Sequence, residues 1–232
     1  PAGIAMDVNK GPLEKAQEHI REEKLGGKIA TRLGNGLAPL EPGETDTVII
    51  AGMGGDLICK ILKAKPEFLI EGKEFILQPQ SEWFKIRRLL KEYRYQIEKE
   101  WFLKEDGKYY VIIKAEPAWT QPQRLKHQQP SIHEYIKEIS DTQVNQAVSE
   151  KDMESIYEQY GKYLIETKNP VLKEYLEKEI VKKESIAAEL KLSIKEMESE
   201  ELSGKERGNI AKRQRRYQEI QKEIRDMRKA IG

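Results

Sequence analysis

The chain has 232 residues, enough for one or two domains with real cores, and its 41 Lys and Arg against 40 Asp and Glu leave a net charge of +1. That balance alone names no polyanionic partner. The single cysteine, Cys59, excludes an intrachain disulfide and fits a reducing cytoplasm, and no apolar run approaches the roughly 18 residues of a membrane helix.

The opening PAGIAMDVNK lacks the basic start and apolar stretch of a signal peptide. Within it GIAMD reads as a short buried strand ending at Asp7. GPLEKAQEHIREEKL reads as a helix, with Pro12 near its start and Leu13, Ala16 and Ile20 at helical spacing. KIATRL (28–33) is a second strand and DTVIIAG (46–52) a third. Gly55 to Lys65 carries Leu57, Ile58, Ile61 and Leu62 on an amphipathic helix. EFILQP (74–79) is a fourth strand, and SEWFKIRRLLKEY a helix with Ser81 as its cap. YQIEKEWFLKEDGKYYVIIKAE is a hairpin turning at Asp106-Gly107. Strand and helix in alternation predict an α/β domain with a parallel sheet and right-handed crossovers, closed by an antiparallel edge.

From Pro117 the composition shifts to proline and glutamine, as in a linker, and the helical segment that follows has no assigned role. Leu176, Ile180, Lys183, Ala187, Leu190, Ile194 and Met197 then keep heptad spacing. So do Ile210, Arg213, Tyr217, Ile220, Ile224, Met227 and Ile231, beyond the interruption at Gly204. Two heptad arms around a glycine-bearing turn predict an antiparallel helical hairpin. Its arms differ in charge. Residues 205–229 hold ten Lys or Arg and four acids, densest at KRQRR (212–216). Such a stretch is either a solvated helix face or a phosphate-contacting arm in which Lys212, Arg213, Arg215 and Arg216 grip nucleic acid. The histidines His19, His127 and His133 are far apart beside one cysteine, so no metal site is expected.

Ligands of doubly wound folds bind beyond the carboxyl ends of the strands. Asp7, with Val8 after it, closes the first strand, where an acid accepts hydrogen bonds from ribose hydroxyls. Gly34-Asn35-Gly36 follows the second, and Ala51-Gly52-Met53-Gly54-Gly55 ends the third. Gln78-Pro79-Gln80 ends the fourth and places amide side chains where a base can be held. Alone, each fits an ordinary cap or turn. Together they occupy four strand ends in the expected order.

DVNKGPLEKA, RLGNGL, IIAGMGG, ILQPQ and DGKYYVIIKAE resemble, in order and spacing, the bacterial tRNA adenine-N1 methyltransferases that modify adenine 22. YGKYLIETKNPVLKEYLEKEI (160–180) resembles the start of that family's coiled-coil domain. The likeness covers roughly residues 2–116 and 159–232, and is poor at 118–158. It implies a Rossmann-like class I methyltransferase domain at 1–117, incomplete at its N-terminus, a linker or helical insertion at 118–158, and an antiparallel helical coiled-coil domain at 159–232. It implies S-adenosylmethionine as methyl donor, tRNA as partner, and a cytoplasmic location with neither membrane nor metal. By position, Asp7 and Val8 would hold the donor's ribose, and Gly34, Asn35 and Gly36 its adenine. Ala51, Gly52 and Met53 would lie along the donor, and Gly54, Gly55, Gln78 and Pro79 would border the target base.

Two departures stand out. Family members commonly have Asn after Gln-Pro, where this chain has Gln80. They also begin with an Asp-Ile-Gly-Ser-Asp-His-like strand and glycine loop, whereas this sequence starts at what resembles the second strand. The expectation is a partial chain, or a variant that lost donor binding and serves as a methyltransferase-like tRNA-binding protein. A methyltransferase acting on another RNA is the remaining reading, since fold does not fix substrate.

Overall fold

A computed structural model describes residues 3–118, 148–198 and 204–232. They fall into two units, one of residues 3–99 and 112–118, the other of residues 100–111, 148–198 and 204–232.

In the first unit, β1 (Gly3–Asp7) and β2 (Ile29–Leu33) pair in parallel from Gly3↔Ile29 to Asp7↔Leu33, joined by α1 (Lys10–Glu22) with Leu13 buried. β3 (Thr47–Met53) pairs in parallel with β4 (Glu74–Pro79), joined by α2 (Gly55–Ala64) and a short α3 (Pro66–Ile70). The periodicity of 55–65 does not reveal α3, which starts at Pro66, where the ring's fixed φ and missing N–H suit a first helical position. α4 (Trp83–Glu92) leads into β5 (Tyr95–Glu105) and β6 (Lys108–Pro117). Asp106 and Gly107 have φ of 47° and 76°, as a two-residue hairpin turn with left-handed backbone requires. The sheet order is β3-β4-β6-β5, so β3 and β5 are its edges, while β6 pairs antiparallel with β4.

The expected single parallel sheet is thus two sheets. Among the described residues no strand lies between β1 and β3, and the backbone ladder stops at both. On β3 Val48 and Ile50 are buried while Ile49, between them, is 67% exposed, as side chains alternate between the two faces of a strand. The core lies on the other side, around Ile58 and Leu62 of α2, Phe68 and Leu69 of α3, Phe75 and Leu77 of β4, and Ile86, Leu89 and Leu90 of α4. These last three are the fully covered apolar residues of α4. Ser81 is not the cap of α4. The N-cap is Glu82, in the left-handed region at φ 53°, and no side chain caps the helix.

The second unit holds α5 (Val148–Tyr160), α6 (Lys162–Glu166), α7 (Pro170–Glu198) and α8 (Gly204–Ile231). The Asn169 carboxamide caps α7, accepting the Val171 and Leu172 N–H groups at 3.0 Å each. Leu176, Ile180 and Ala187 are buried on α7, and Ile210, Ile220, Ile224 and Met227 on α8, as the heptads predict. From the cross-pair Lys183–Glu223 to Ser193–Arg213 the numbering rises by ten on one helix and falls by ten on the other, and Glu184–Arg228 lies beside the first, so the arms run antiparallel. The segment 199–203 that joins them lies outside the described residues, as does most of the linker. Arg213, read as a heptad position, is exposed and donates to the Ser193 hydroxyl.

The hairpin tip joins α7 in this unit. The rings of Phe102, Tyr109 and Tyr175 lie 5.0–5.8 Å apart, contacts worth about 0.5–1.5 kcal/mol per pair beyond area burial. Beside them Glu174 takes Lys104 at 2.6 Å and Lys178 at 2.7 Å, and accepts the Tyr109 hydroxyl at 3.2 Å.

Two predictions follow from this packing. Phe75→Ala, emptying a fully buried site, is expected to cost about 3–5 kcal/mol in denaturant unfolding; a loss below about 1 kcal/mol would mean the core is misplaced. The second concerns acid. Lys104 first, and then Lys178, lower the Glu174 pKa from 4.5 to about 2. Its contribution is therefore full above pH 4.5 and is lost as pH falls from there through about 2. Thermal melts across that window should fall less steeply for Glu174→Gln than for the native chain, and parallel curves would rule the contribution out.

Candidate active site

The third and fourth strands converge at their carboxyl ends on two loops, Met53–Gly54 and Gln80–Glu82. The β3–β4 register shifts between Ala51 and Met53, and the side chain of Gln78 fills the break: the Gly52 N–H donates to its Oε1 at 2.7 Å. Three further rungs follow. Gln80 N–H donates to Met53 C=O at 2.8 Å, Gly55 N–H to Ser81 C=O at 3.0 Å, and Asp56 N–H to the Glu82 carboxylate at 3.2 Å. The strand pairing is thus continued past the strands by an irregular ladder, and Ala51 to Gly55 form one structure with Gln78 and Pro79.

Two glycines are required here for different reasons. Gly52 has φ 79°, and a Cβ on it would meet nothing within 4 Å; its side is open, and it is exposed beside Ala51. Gly55 is buried, and a Cβ there would lie 2.7 Å from the carbonyl oxygens of both Ser81 and Glu82. The bare backbone of Gly55 therefore accommodates the protein's own loop, whereas Gly52 leaves room for something else.

The Gln78 amide has a definite orientation. A backbone N–H can only donate, so the atom facing Gly52 is the oxygen. The nitrogen, Nε2, is buried and has no hydrogen-bond partner. An unpaired buried donor costs about 1–3 kcal/mol, and such a group calls for an acceptor from outside the chain. The Gln78 oxygen is thus engaged by Gly52. The Met53 and Gly54 carbonyls also accept internal bonds, from Gln80 and Ile58. The Gln80 side chain is exposed at the same place.

The first two strands form the other half. The Gly34 N–H donates to the Asp7 carbonyl at 3.0 Å, which holds Gly34-Asn35-Gly36 beside Asp7 and Val8. One Asp7 carboxylate oxygen accepts the Asn9 N–H at 2.7 Å, and the other has no partner among the described residues. Val8 and Leu33 are 60% and 51% exposed. Arg32 pins the following loop through the Pro39 carbonyl and both oxygens of Glu44, lowering the Glu44 pKa to about 2. Gly36 rests on Ile61 of α2, where a Cβ would come within 2.8 Å, and the Lys65 ammonium reaches the Leu40 carbonyl at 3.3 Å. The loop after β2 is thereby fastened to the helix after β3, although their strands do not pair.

Charges that the sequence did not single out support the second pair of loops. Lys85 reaches Asp56 at 2.8 Å and Glu82 at 2.5 Å, and Lys60 reaches Asp56 at 2.8 Å. Lys60 and Lys85 lower the Asp56 pKa to about 2, and Asp56 and Glu82 raise that of Lys85 to about 12. The Asp56/Lys60 and Glu82/Lys85 pairs are legible as helical i,i+4 and i,i+3 spacings; the pairing of one with the other is not. In the other unit, Lys212 and Arg215 are exposed on α8, while Arg216 is tied to Glu219 and Glu223 at 3.1 and 3.2 Å. Among the described residues no group of acids, histidines and cysteine could hold a metal, and no helix is long and apolar enough to cross a membrane.

The alternation of parallel strands and helices, with ligand-type groups at four strand ends, defines a Rossmann-like fold of the class I methyltransferase kind. The chain belongs to the tRNA (adenine(22)-N(1))-methyltransferase family, whose model matches residues 1–158. That match runs through 118–158, which was expected to fit poorly, and ends before the helical arms. Over 174 residues the chain is 33% identical to the tRNA (adenine(22)-N(1))-methyltransferase of Bacillus subtilis, covering 61% of this chain and 72% of that protein. The crystal structure of the B. subtilis m1A22 tRNA methyltransferase TrmK superposes with a TM-score of 0.67 at 24% identity, over 100% of this chain and 82% of that one. M. capricolum TrmK, solved with the cofactor product S-adenosyl-homocysteine, gives 0.63 at 22% identity, over 99% and 80%.

Gly55→Ala is expected to cost about 1–3 kcal/mol in denaturant melts through its clash with two backbone carbonyls. Gly52→Ala meets only backbone strain, about 1 kcal/mol. Equal costs would show that the loops can part to admit a Cβ.

Proposed function

We propose that this chain catalyses S-adenosylmethionine-dependent methyl transfer to N1 of adenine 22 in tRNA. Family membership over residues 1–158 carries the reaction, and the ladder between the β3 and β4 ends carries the site.

The residues present fit the donor. Asp7 offers a carboxylate oxygen for a ribose hydroxyl, with Val8, Gly34, Asn35 and Gly36 beside it for the adenine. Ala51, Gly52 and Met53 supply exposed and half-exposed backbone along the donor, and Gly52 has the open side. When bound, S-adenosylmethionine supplies an electrophilic sulfonium methyl. Adenine N1 carries a lone pair and needs no deprotonation before attack, so a general base is not required. What the chain contributes is alignment, worth about 7–11 kcal/mol when reacting atoms are well placed. Gln78 holds Gly52 through its oxygen and offers Nε2–H to an acceptor atom of the base. Pro79 and Gly54 stand at the ends of the same two loops, bordering the base. N1 lies on the pairing edge, so a stacked or paired adenine must be turned out before it can react.

The helical arms suit a grip on the tRNA body. All four cations of 212–216 are exposed, and of these Arg213 and Arg216 already bond within the unit. tRNA as substrate agrees with action in the cytoplasm. A second reading is a methyltransferase-like tRNA-binding protein that does not use the donor. Calorimetry decides between them: donor binding at micromolar strength supports the enzyme, and tRNA binding without donor binding supports the alternative.

Gln78→Ala should lower kcat for an adenine-22 tRNA about 100-fold with tRNA affinity unchanged; unaltered turnover would remove Gln78 from the site. Lys212→Glu with Arg215→Glu should weaken tRNA binding and flatten its salt slope by about two. A tRNA carrying guanine at position 22 should not be methylated.

A further inference from the structure

Glu82 stands out among the groups not yet given a role. It is not glycine, yet its backbone is left-handed at φ 53° and ψ 41°, a conformation held only where neighbours over-determine it. It is the last rung of the ladder between the two loops: its Oε2 accepts the Asp56 N–H at 3.2 Å, at the start of α2. Its Oε1 takes Lys85 at 2.5 Å, and the same ammonium takes Asp56 at 2.8 Å. Its carbonyl oxygen would lie 2.7 Å from any Cβ at Gly55. One residue thus touches the first turn of α2 by side chain and by backbone while standing at the N-cap of α4.

We propose that Glu82 is a positioning residue for methyl transfer: through Asp56 and Lys85 it locks the loop after β3 to the loop after β4. The inference rests on the reading of these loops as the methyl-transfer site. Exposed ion pairs of this kind add little to global stability, so the effect belongs in the loops rather than in the melting temperature. Glu82 does not touch the reacting atoms. It acts three rungs away from Gly52 and Gln78, along a ladder in which Gly55 leaves no slack.

The variants Glu82→Gln, Glu82→Ala and Glu82→Gly separate the possibilities. Gln keeps an oxygen for the Asp56 N–H. Ala removes the oxygen and keeps the backbone strain. Gly removes both. Amide hydrogen exchange of Gly52, Gly55 and Asp56 is read beside kcat, KM for tRNA, and S-adenosyl-homocysteine affinity. We expect exchange at Gly55 and Asp56 to rise at least tenfold in Ala and Gly and to stay near native in Gln. We expect kcat to fall in the same order, with KM for tRNA unchanged and melting temperatures within about 2 °C. Native exchange in Ala and Gly overturns the proposal, and so does unchanged kcat in an active native protein. A uniform rise in exchange with a lowered melting temperature also overturns it, as a structural role. If the native chain itself does not methylate adenine 22, the functional reading fails; the clamp then stands or falls on exchange and S-adenosyl-homocysteine affinity alone.

Discussion

The hydrogen bond from Gly52 N–H to the Gln78 side chain is the constraint on which the site depends. Parallel strands exchange backbone bonds until one of them has to turn outward, and here β3 does so at the shift between Ala51 and Met53. A backbone N–H would be stranded there. Gln78 satisfies it from the neighbouring strand with its amide oxygen, and its donor nitrogen is buried. Chain direction, side-chain identity and a polar group in need of a partner are thereby fixed by one contact. The same contact explains why glycine follows Ala51: a φ of 79° aims the N–H at β4 and leaves the opposite side of the residue bare.

From that point the loops behave as a unit. Each rung brings backbone of one loop against the other, and Gly55 allows an approach that any side chain would block. The neighbouring half of the site is attached differently. β1 and β2 share no backbone bond with β3, and the loop after β2 meets α2 through Gly36 on Ile61 and through the Lys65 ammonium.

Much of this was legible in the sequence because local rules governed it. VIIAGMGG announces a strand running into a bare turn, and Asp106-Gly107 a hairpin, since both depend on residues adjacent in the chain. The heptads of the helical arms work the same way. What stayed hidden depends on residues brought together from a distance. Ser81 has the chemistry of a cap, but its carbonyl is what the fold uses, and Glu82 takes the cap position in a conformation that no propensity favours. The engagement of the Gln78 oxygen likewise follows from strand register, which spacing does not reveal. Gly55 and Gly52 look alike in a string of letters; one is filled by the protein and the other is open.

The pair Lys183–Glu223 has a consequence for the length of the helical arms. It sits at a seam position, half-buried, where apolar residues flank it along both helices. Sliding one arm past the other by a heptad would set Lys183 against Arg216 or against Ala230. The first is a like charge, and the second leaves an ammonium in apolar surroundings without a partner. Only one alignment avoids both, so the two helices are cut to a common measure. Residue 216 then stands about 22 Å along the axis from Ile231, and the cations around it are carried on a rod whose reach is set, like a ruler's, by a single mark.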